Sequence, residues 1–96
     1  MRLATDLSHA NLVPYFLWDE SLTVEELRSR LVGSHELERL RLTAKVMREA
    51  RFDETVSLIP IDRIVADYAR LRPSLGRRRA FWDFLLDEWR SLGLVS

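Results

Sequence analysis

The stretch SHELERLRLTAKVMREAR, Ser34 to Arg51, contains neither glycine nor proline and repeats apolar residues at helical intervals. Leu37, Leu40, Ala44 and Met47 fall on one stripe of a helix running from about His35 to Arg51, with Ser34 as its N-cap. Leu42 and Val46 stand nearly opposite that stripe, so the helix has two apolar faces. Such a helix is either sandwiched between other helices or touches a partner. In an array of five helices a central one is covered on both sides, and the sandwich is the favoured expectation. Leu42 and Val46 are partner-binding candidates under the other reading.

The flanking sequence supplies the other helices. Thr23-Val24-Glu25-Glu26 has capping-box spacing, which predicts a helix from about Val24 to Val32 with Leu27 and Leu31 inward and Gly33 ending it. Asp53 is placed to cap a short third helix through Ile59. Pro60 restricts the residue before it and favours a fresh start, predicting a fourth helix to Leu71 with Ile61, Ile64, Val65 and Tyr68 on one stripe. Arg72 to Gly76 reads as a connector, and Arg77 to Leu92 as a last helix stopped by Gly93. Nothing alternates long enough to make a strand in a sheet. The expected fold is all-α: one small domain of about five helices over residues 14–96, an irregular bundle or a short array of antiparallel helical hairpins. An extended aromatic segment leads into it, and residues 1–13 are set apart as a flexible start.

That lead-in, Tyr15-Phe16-Leu17-Trp18-Asp19-Glu20, admits two readings. The aromatics can fold back as a lid over the array, with Asp19 and Glu20 supporting the positive end of the first helix. Alternatively, extended alternation sets Tyr15 and Leu17 on one side and Phe16 and Trp18 on the other, so that one pair meets a partner. The last helix has a similar surplus: Phe81, Trp82, Phe84, Leu85, Leu86, Trp89 and Leu92 cover more than half its circumference. Trp82 and Trp89 are candidates for an interface, including a homodimer. Glu88 falls inside that apolar arc and calls for an Arg partner, from this chain or another.

Composition narrows the function classes. The chain has 96 residues, no cysteine and zero formal net charge. Disulfides and thiolate metal sites are thereby excluded, and a cytoplasmic location is the simplest expectation. No apolar run approaches the roughly 18 residues that span a bilayer, and the first residues do not resemble a signal peptide. A generic polyanion binder usually carries a clear basic excess. Charge is nevertheless blocked: residues 1–27 carry one Arg against five acids, and residues 28–51 seven bases against three. Arg41, Lys45 and Arg48 form a stripe on the second helix that loosely fits a helix-turn-helix, although Glu38 and Glu49 flank it. Arg77, Arg78 and Arg79 cluster at a helix start, where the macrodipole disfavours cations and invites a compensating anion; pairing with Asp83 is the plainer alternative. Asp83 and Asp87 share a face that reads as solvated. No phosphate loop, nucleophile elbow or histidine pair is present, so no catalytic residue, cofactor or metal is expected.

Four segments carry a resemblance. Pro14-Tyr15-Phe16-Leu17-Trp18-Asp19, Leu22-Thr23-x-Glu25-Glu26-Leu27-Arg28, Met47-Arg48-Glu49-Ala50-Arg51-Phe52 and Gly76-Arg77-Arg78-Arg79-Ala80-Phe81-Trp82 together resemble a group of small bacterial helical proteins encoded beside AbiEii-type nucleotidyltransferase toxins. The resemblance runs from Pro14 to Leu94. It implies an antitoxin-like protein that neutralises such a toxin by forming a complex with it. The chain shows no charged C-terminal tail of the kind many antitoxins wrap around their toxins, so a folded surface is expected to do the binding. The group carries no settled functional residues over to this chain. On residue type and position, the candidates for the partner surface are Tyr15, Phe16, Trp18, Leu42, Val46, Arg77, Arg78, Arg79, Trp82 and Trp89. A self-associating helical adaptor is the second reading, and a small DNA- or RNA-binding regulator the third.

Overall fold

The five helices fall where the apolar periodicity and the breakers place them. The computed structural model describes residues 3–95, so Met1, Arg2 and Ser96 lie outside the described residues. In chain order the elements are β1 (Leu3–Ala4), β2 (Val13–Pro14), a 3-10 turn (Tyr15–Leu17), α1 (Val24–Leu31), α2 (Glu36–Glu49), α3 (Phe52–Leu58) and α4 (Ile61–Leu71). Two further 3-10 turns, Arg72–Ser74 and Gly76–Arg78, lead into α5 (Arg79–Ser91). No helix among the described residues is long and apolar enough to cross a membrane.

The capping box opening α1 is formed. The Thr23 hydroxyl accepts from the Glu26 amide at 3.1 Å, and the Glu26 carboxylate accepts from the Thr23 amide at 3.1 Å. Two further first-turn amides find partners upstream, Val24 donating to the Leu12 carbonyl at 3.0 Å and Glu25 to that of Ala10 at 2.9 Å. Helix-start amides have no partner within their own helix, so α1 ties residues 10–12 to itself. The same segment makes a small parallel pair, Leu3 beside Val13 and Ala4 beside Pro14. The period-two test misses this pair because two-residue strands leave no pattern to detect.

Two expected caps are shifted. The N-cap of α2 is His35 rather than Ser34: its Nδ1 accepts from the Glu38 amide at 3.3 Å. The N-cap of α3 is Arg51, and Asp53 lies inside the first turn. There Glu54 reaches back to accept from the Arg51 amide at 3.3 Å, closing the turn that Asp53 was expected to close. The end of α5 follows expectation. Gly93 adopts φ 75°, its amide donates to the Arg90 carbonyl at 3.1 Å, and the Leu94 amide reaches Trp89 at 2.9 Å. That is the glycine-terminated motif in which a left-handed residue lets two orphan carbonyls be satisfied.

Helix α2 is the covered centre. Six consecutive residues, Leu42 to Met47, are buried, and no single face of a helix holds six consecutive positions. The two-faced pattern therefore reports a sandwich. Leu37 is the exception in the expected stripe, 76% exposed, because the first turn of α2 projects beyond the packing of its neighbours. Carbonyls in the last turn of α2 are bonded from the surrounding elements: Thr55 donates to Val46, the Trp82 indole to Met47 at 3.1 Å, and Arg78 to Ala50. Tyr68 and Arg72 bond Asp83, at 2.7 and 2.9 Å, and so fasten α4 to α5.

Candidate partner-binding surface

The aromatic lead-in is not an extended strand: Phe16 folds back onto the core with Tyr15 packed beside it, as a lid would, while Trp18 does not. Tyr15–Leu17 coils into a 3-10 turn, and the Leu17 carbonyl then accepts the amides of Glu20 and Ser21 at 2.9 and 3.2 Å. The coil puts neighbours on one side: Phe16 and Leu17 are both buried, at 4% and 0% exposure, while Trp18 is 68% exposed. The alternation expected for Tyr15 to Trp18 is thus corrected, because turn geometry replaces the period of two.

Polar contacts hold this turn at both ends. The Tyr15 hydroxyl donates to the buried Glu54 carboxylate at 2.5 Å and accepts from the Arg51 amide at 3.1 Å. Burial and the adjacent carboxylate push the Tyr15 phenol up. At the other end Lys45 Nζ lies 2.8 Å from both Asp19 oxygens and 2.7 Å from Glu20. Arg41 reaches Glu20 at 2.8 Å and Glu38 at 2.7 Å. Asp19 and Glu20 therefore serve α2, not the positive end of α1. Burial alone would lower the Lys45 ammonium, but its two carboxylate partners outweigh that and hold it raised. The hydrogen bond from Arg41, with Lys45 beside it, brings the Glu20 carboxylate down to about 2.

This frame presents Trp18 at the edge of a groove of about 410 Å³ lined by Tyr15, Phe16, Trp18, Asp19, Lys45, Arg48 and Glu49. Arg48 and Glu49 also line a second hollow, together with Gly76, Arg77 and Arg78. Arg48 and Glu49 are thus common to both hollows, with the exposed tryptophan on one side of them and Arg77 and Arg78 on the other. Arg48 is held between them by Glu49 at 3.0 Å and by the Ser74 carbonyl at 2.8 Å.

The remaining candidates separate. Leu42, Val46 and Trp82 have 0% exposure and form core, so a partner has no access to them on the folded chain. Phe16 is likewise core. Trp89 is half-buried, its ring 6.3 Å from that of Phe52. Arg78 is partly buried on the Ala50 carbonyl, and Arg77 and Arg79 are exposed. Asp83 is occupied by Arg72 and Tyr68, which correct the expected pairing with the arginine cluster. Those two partners draw its carboxyl down to about 2, Arg72 having the larger influence. Glu88 also differs from expectation: it is exposed and makes no ion pair among the described residues, because the apolar arc around it is open rather than packed. The stripe of Arg41, Lys45 and Arg48 is engaged internally at every member, which leaves the helix-turn-helix reading without free cations on that face.

The carboxylates predict a pH response. Glu20 and Asp83 have folded-state values near 2 against ordinary values of 4.5 and 3.8. A depressed acid contributes stability that is complete above its unfolded value and lost as pH falls through the folded one. The urea midpoint is accordingly expected to be level from pH 7 to about 5 and to drop between about pH 4.5 and 2. Glu20→Gln should lower the midpoint at neutral pH and make that drop shallower. An equal drop in both proteins would show that Glu20 does not contribute.

In comparisons with family models, with curated proteins and with solved structures, no match to this chain was found.

Proposed function

We propose that this chain is a protein-binding module without catalytic activity of its own, and that it docks its partner on the groove beside Trp18. The observation that carries the reading is a tryptophan left 68% exposed on a turn whose neighbours Phe16 and Leu17 are buried. Ion pairs and a tyrosine hydrogen bond brace that turn. Tryptophan, tyrosine and arginine dominate interface hot spots, and a braced aromatic loses little conformational freedom on binding. Tyr15, Trp18, Arg48, Arg77 and Arg78 all line these two neighbouring hollows. The residue-level resemblance supports a particular partner: an AbiEii-type nucleotidyltransferase toxin of the same bacterium, which this chain neutralises as a cytoplasmic antitoxin.

Co-expression with the product of the adjacent gene, expected to be such a nucleotidyltransferase, is the direct test. The pair is expected to co-purify and toxicity to be relieved; separate elution with toxicity intact would end the partner assignment. Trp18→Ala is expected to weaken the complex about thirtyfold, roughly 2 kcal/mol. Its thermal midpoint should stay near that of the wild-type chain, because an exposed side chain contributes little to folding. Undiminished affinity in that variant would remove the Trp18 groove from the interface.

A further inference from the structure

The entrance to α5 carries cations that the helix dipole disfavours, whereas Arg90 in the last turn suits it. Arg77, Arg78 and Arg79 stand at its N-terminal end, while Asp83, Asp87 and Glu88 lie further along. Arg78 and Asp83 are satisfied inside the fold. Arg77 and Glu88 are exposed and make no side-chain hydrogen bond or ion pair among the described residues. Between them lie Phe81 and Phe84, 44% and 63% exposed. The Phe81 ring is braced edge-on by Phe52 at 6.0 Å and by Trp82 at 5.6 Å, so it is presented in a fixed position.

Phe81, Phe84 and Glu88 are three and four residues apart on α5, the interval of a helix-packing seam, and Arg77, in the 3-10 turn leading into α5, precedes Phe81 by four. Their order is also palindromic in chemistry: cation, phenyl, phenyl, anion. Running the seam in the opposite direction exchanges Arg77 with Glu88 and Phe81 with Phe84. A two-fold axis across α5 would set each copy's Phe81 against Phe84 of the other and form the Arg77 to Glu88 pair twice, which is what an isologous contact requires. The cation at the entrance of each helix then faces a carboxylate.

We propose that the exposed face of α5 is a self-association seam, occupied by α5 of a second copy of this chain running antiparallel. Its Phe81, Phe84 and Glu88 lie outside the Trp18 groove, and Arg77 alone also lines the adjoining hollow; the charge order argues for a second copy over an unrelated protein, which would have no need of a self-complementary pattern. The helical part of the seam, from Phe81 to Glu88, is about 10 Å long at helical rise, so the dimer is expected to be weak and concentration-dependent.

Sedimentation equilibrium on the whole chain tests this. Mass is expected to rise with concentration toward twice the 11.3 kDa of one chain. Glu88→Arg and Arg77→Glu should each weaken dimerisation roughly thirtyfold or more, since each reversal creates two like-charge contacts. The double reversal should restore it to within about threefold, because the pairs re-form with exchanged sign. Helical circular dichroism should be unchanged throughout, as both residues are exposed. A strict monomer up to about 1 mM, a millimolar Kd being the edge of measurable association, would overturn the proposal. So would a dimer indifferent to the single reversals, or a double reversal that fails to recover. A Glu88→Arg substitution that leaves the mass unchanged but weakens binding to the nucleotidyltransferase would assign the face to that partner and likewise overturn it.

Discussion

Replacing Trp82 by alanine is expected to cost about 3–5 kcal/mol, the usual range for emptying a large aromatic site in a core. The side chain has no accessible surface and packs where α5 meets α2 and α3, its ring 5.8 Å from that of Phe52. Its indole N–H also donates to the Met47 carbonyl, a last-turn group of α2 with no partner in its own helix. Alanine therefore creates a cavity and orphans an acceptor together. A domain of this size typically has about 5–15 kcal/mol of stability, so the thermal midpoint should fall by about 12 °C or more. Trp82→Phe separates the two effects: it keeps most of the volume, loses the hydrogen bond, and should cost about 1–3 kcal/mol. A loss under about 1 kcal/mol for the alanine variant, measured by urea unfolding, would mean that α5 is not part of the cooperative core. Trp18→Ala should behave in the opposite way, the same residue type mattering to folding at one site and to binding at the other.

The second large effect is expected at Lys45. Its stem is buried, the residue being 9% exposed, and its ammonium bridges Asp19 and Glu20. Lys45→Ala removes packing, leaves Glu20 to Arg41 and takes from Asp19 its one basic partner among the described residues, at a cost of about 2–3 kcal/mol. Lys45→Met retains the stem, so the difference between the variants isolates packing from charge. Loosening should concentrate in the Tyr15–Leu17 turn. Faster hydrogen exchange at the Glu20 and Ser21 amides, which bond to the Leu17 carbonyl, would show it. Stability within about 0.5 kcal/mol of the wild-type chain, the usual range for a surface substitution, would refute the view that this bridge anchors the turn. Weaker partner binding by both Lys45 variants would follow from a Trp18 that is no longer held.

The helices were legible because periodicity, capping chemistry and breakers agree along the chain. Thr23 with Glu26, Pro60 and Gly93 act within a few residues, and each works as its type requires. The double face of α2 was also readable, since Leu42 and Val46 opposite Ala44 and Met47 admit few arrangements. Caps were harder. Ser34 and Asp53 are the residue types expected at helix starts, yet His35 and the pair of Arg51 with Glu54 take those roles, and the difference is one or two residues of backbone geometry.

The candidate surface was legible only in part. A wheel shows which residues share an arc, but not how much of that arc a neighbour covers. On α5 it places Phe81, Phe84, Trp82 and Leu86 together, whereas packing buries only the last two and leaves Glu88 in solvent. The lead-in was ambiguous for a related reason: four residues fit a strand or a turn equally well, and the deciding contacts come from Glu54, 39 positions beyond Tyr15, and Lys45, 26 positions beyond Asp19.

By itself, then, the sequence determined five helices, their order and the central place of α2, because those follow from local propensity and from apolar residues counted along one chain. Tertiary structure decided which aromatics are core and which are offered outward. Trp82 and Trp18 are the same residue type, and only the presence or absence of a packed neighbour, set by segments distant in the chain, gives them opposite roles.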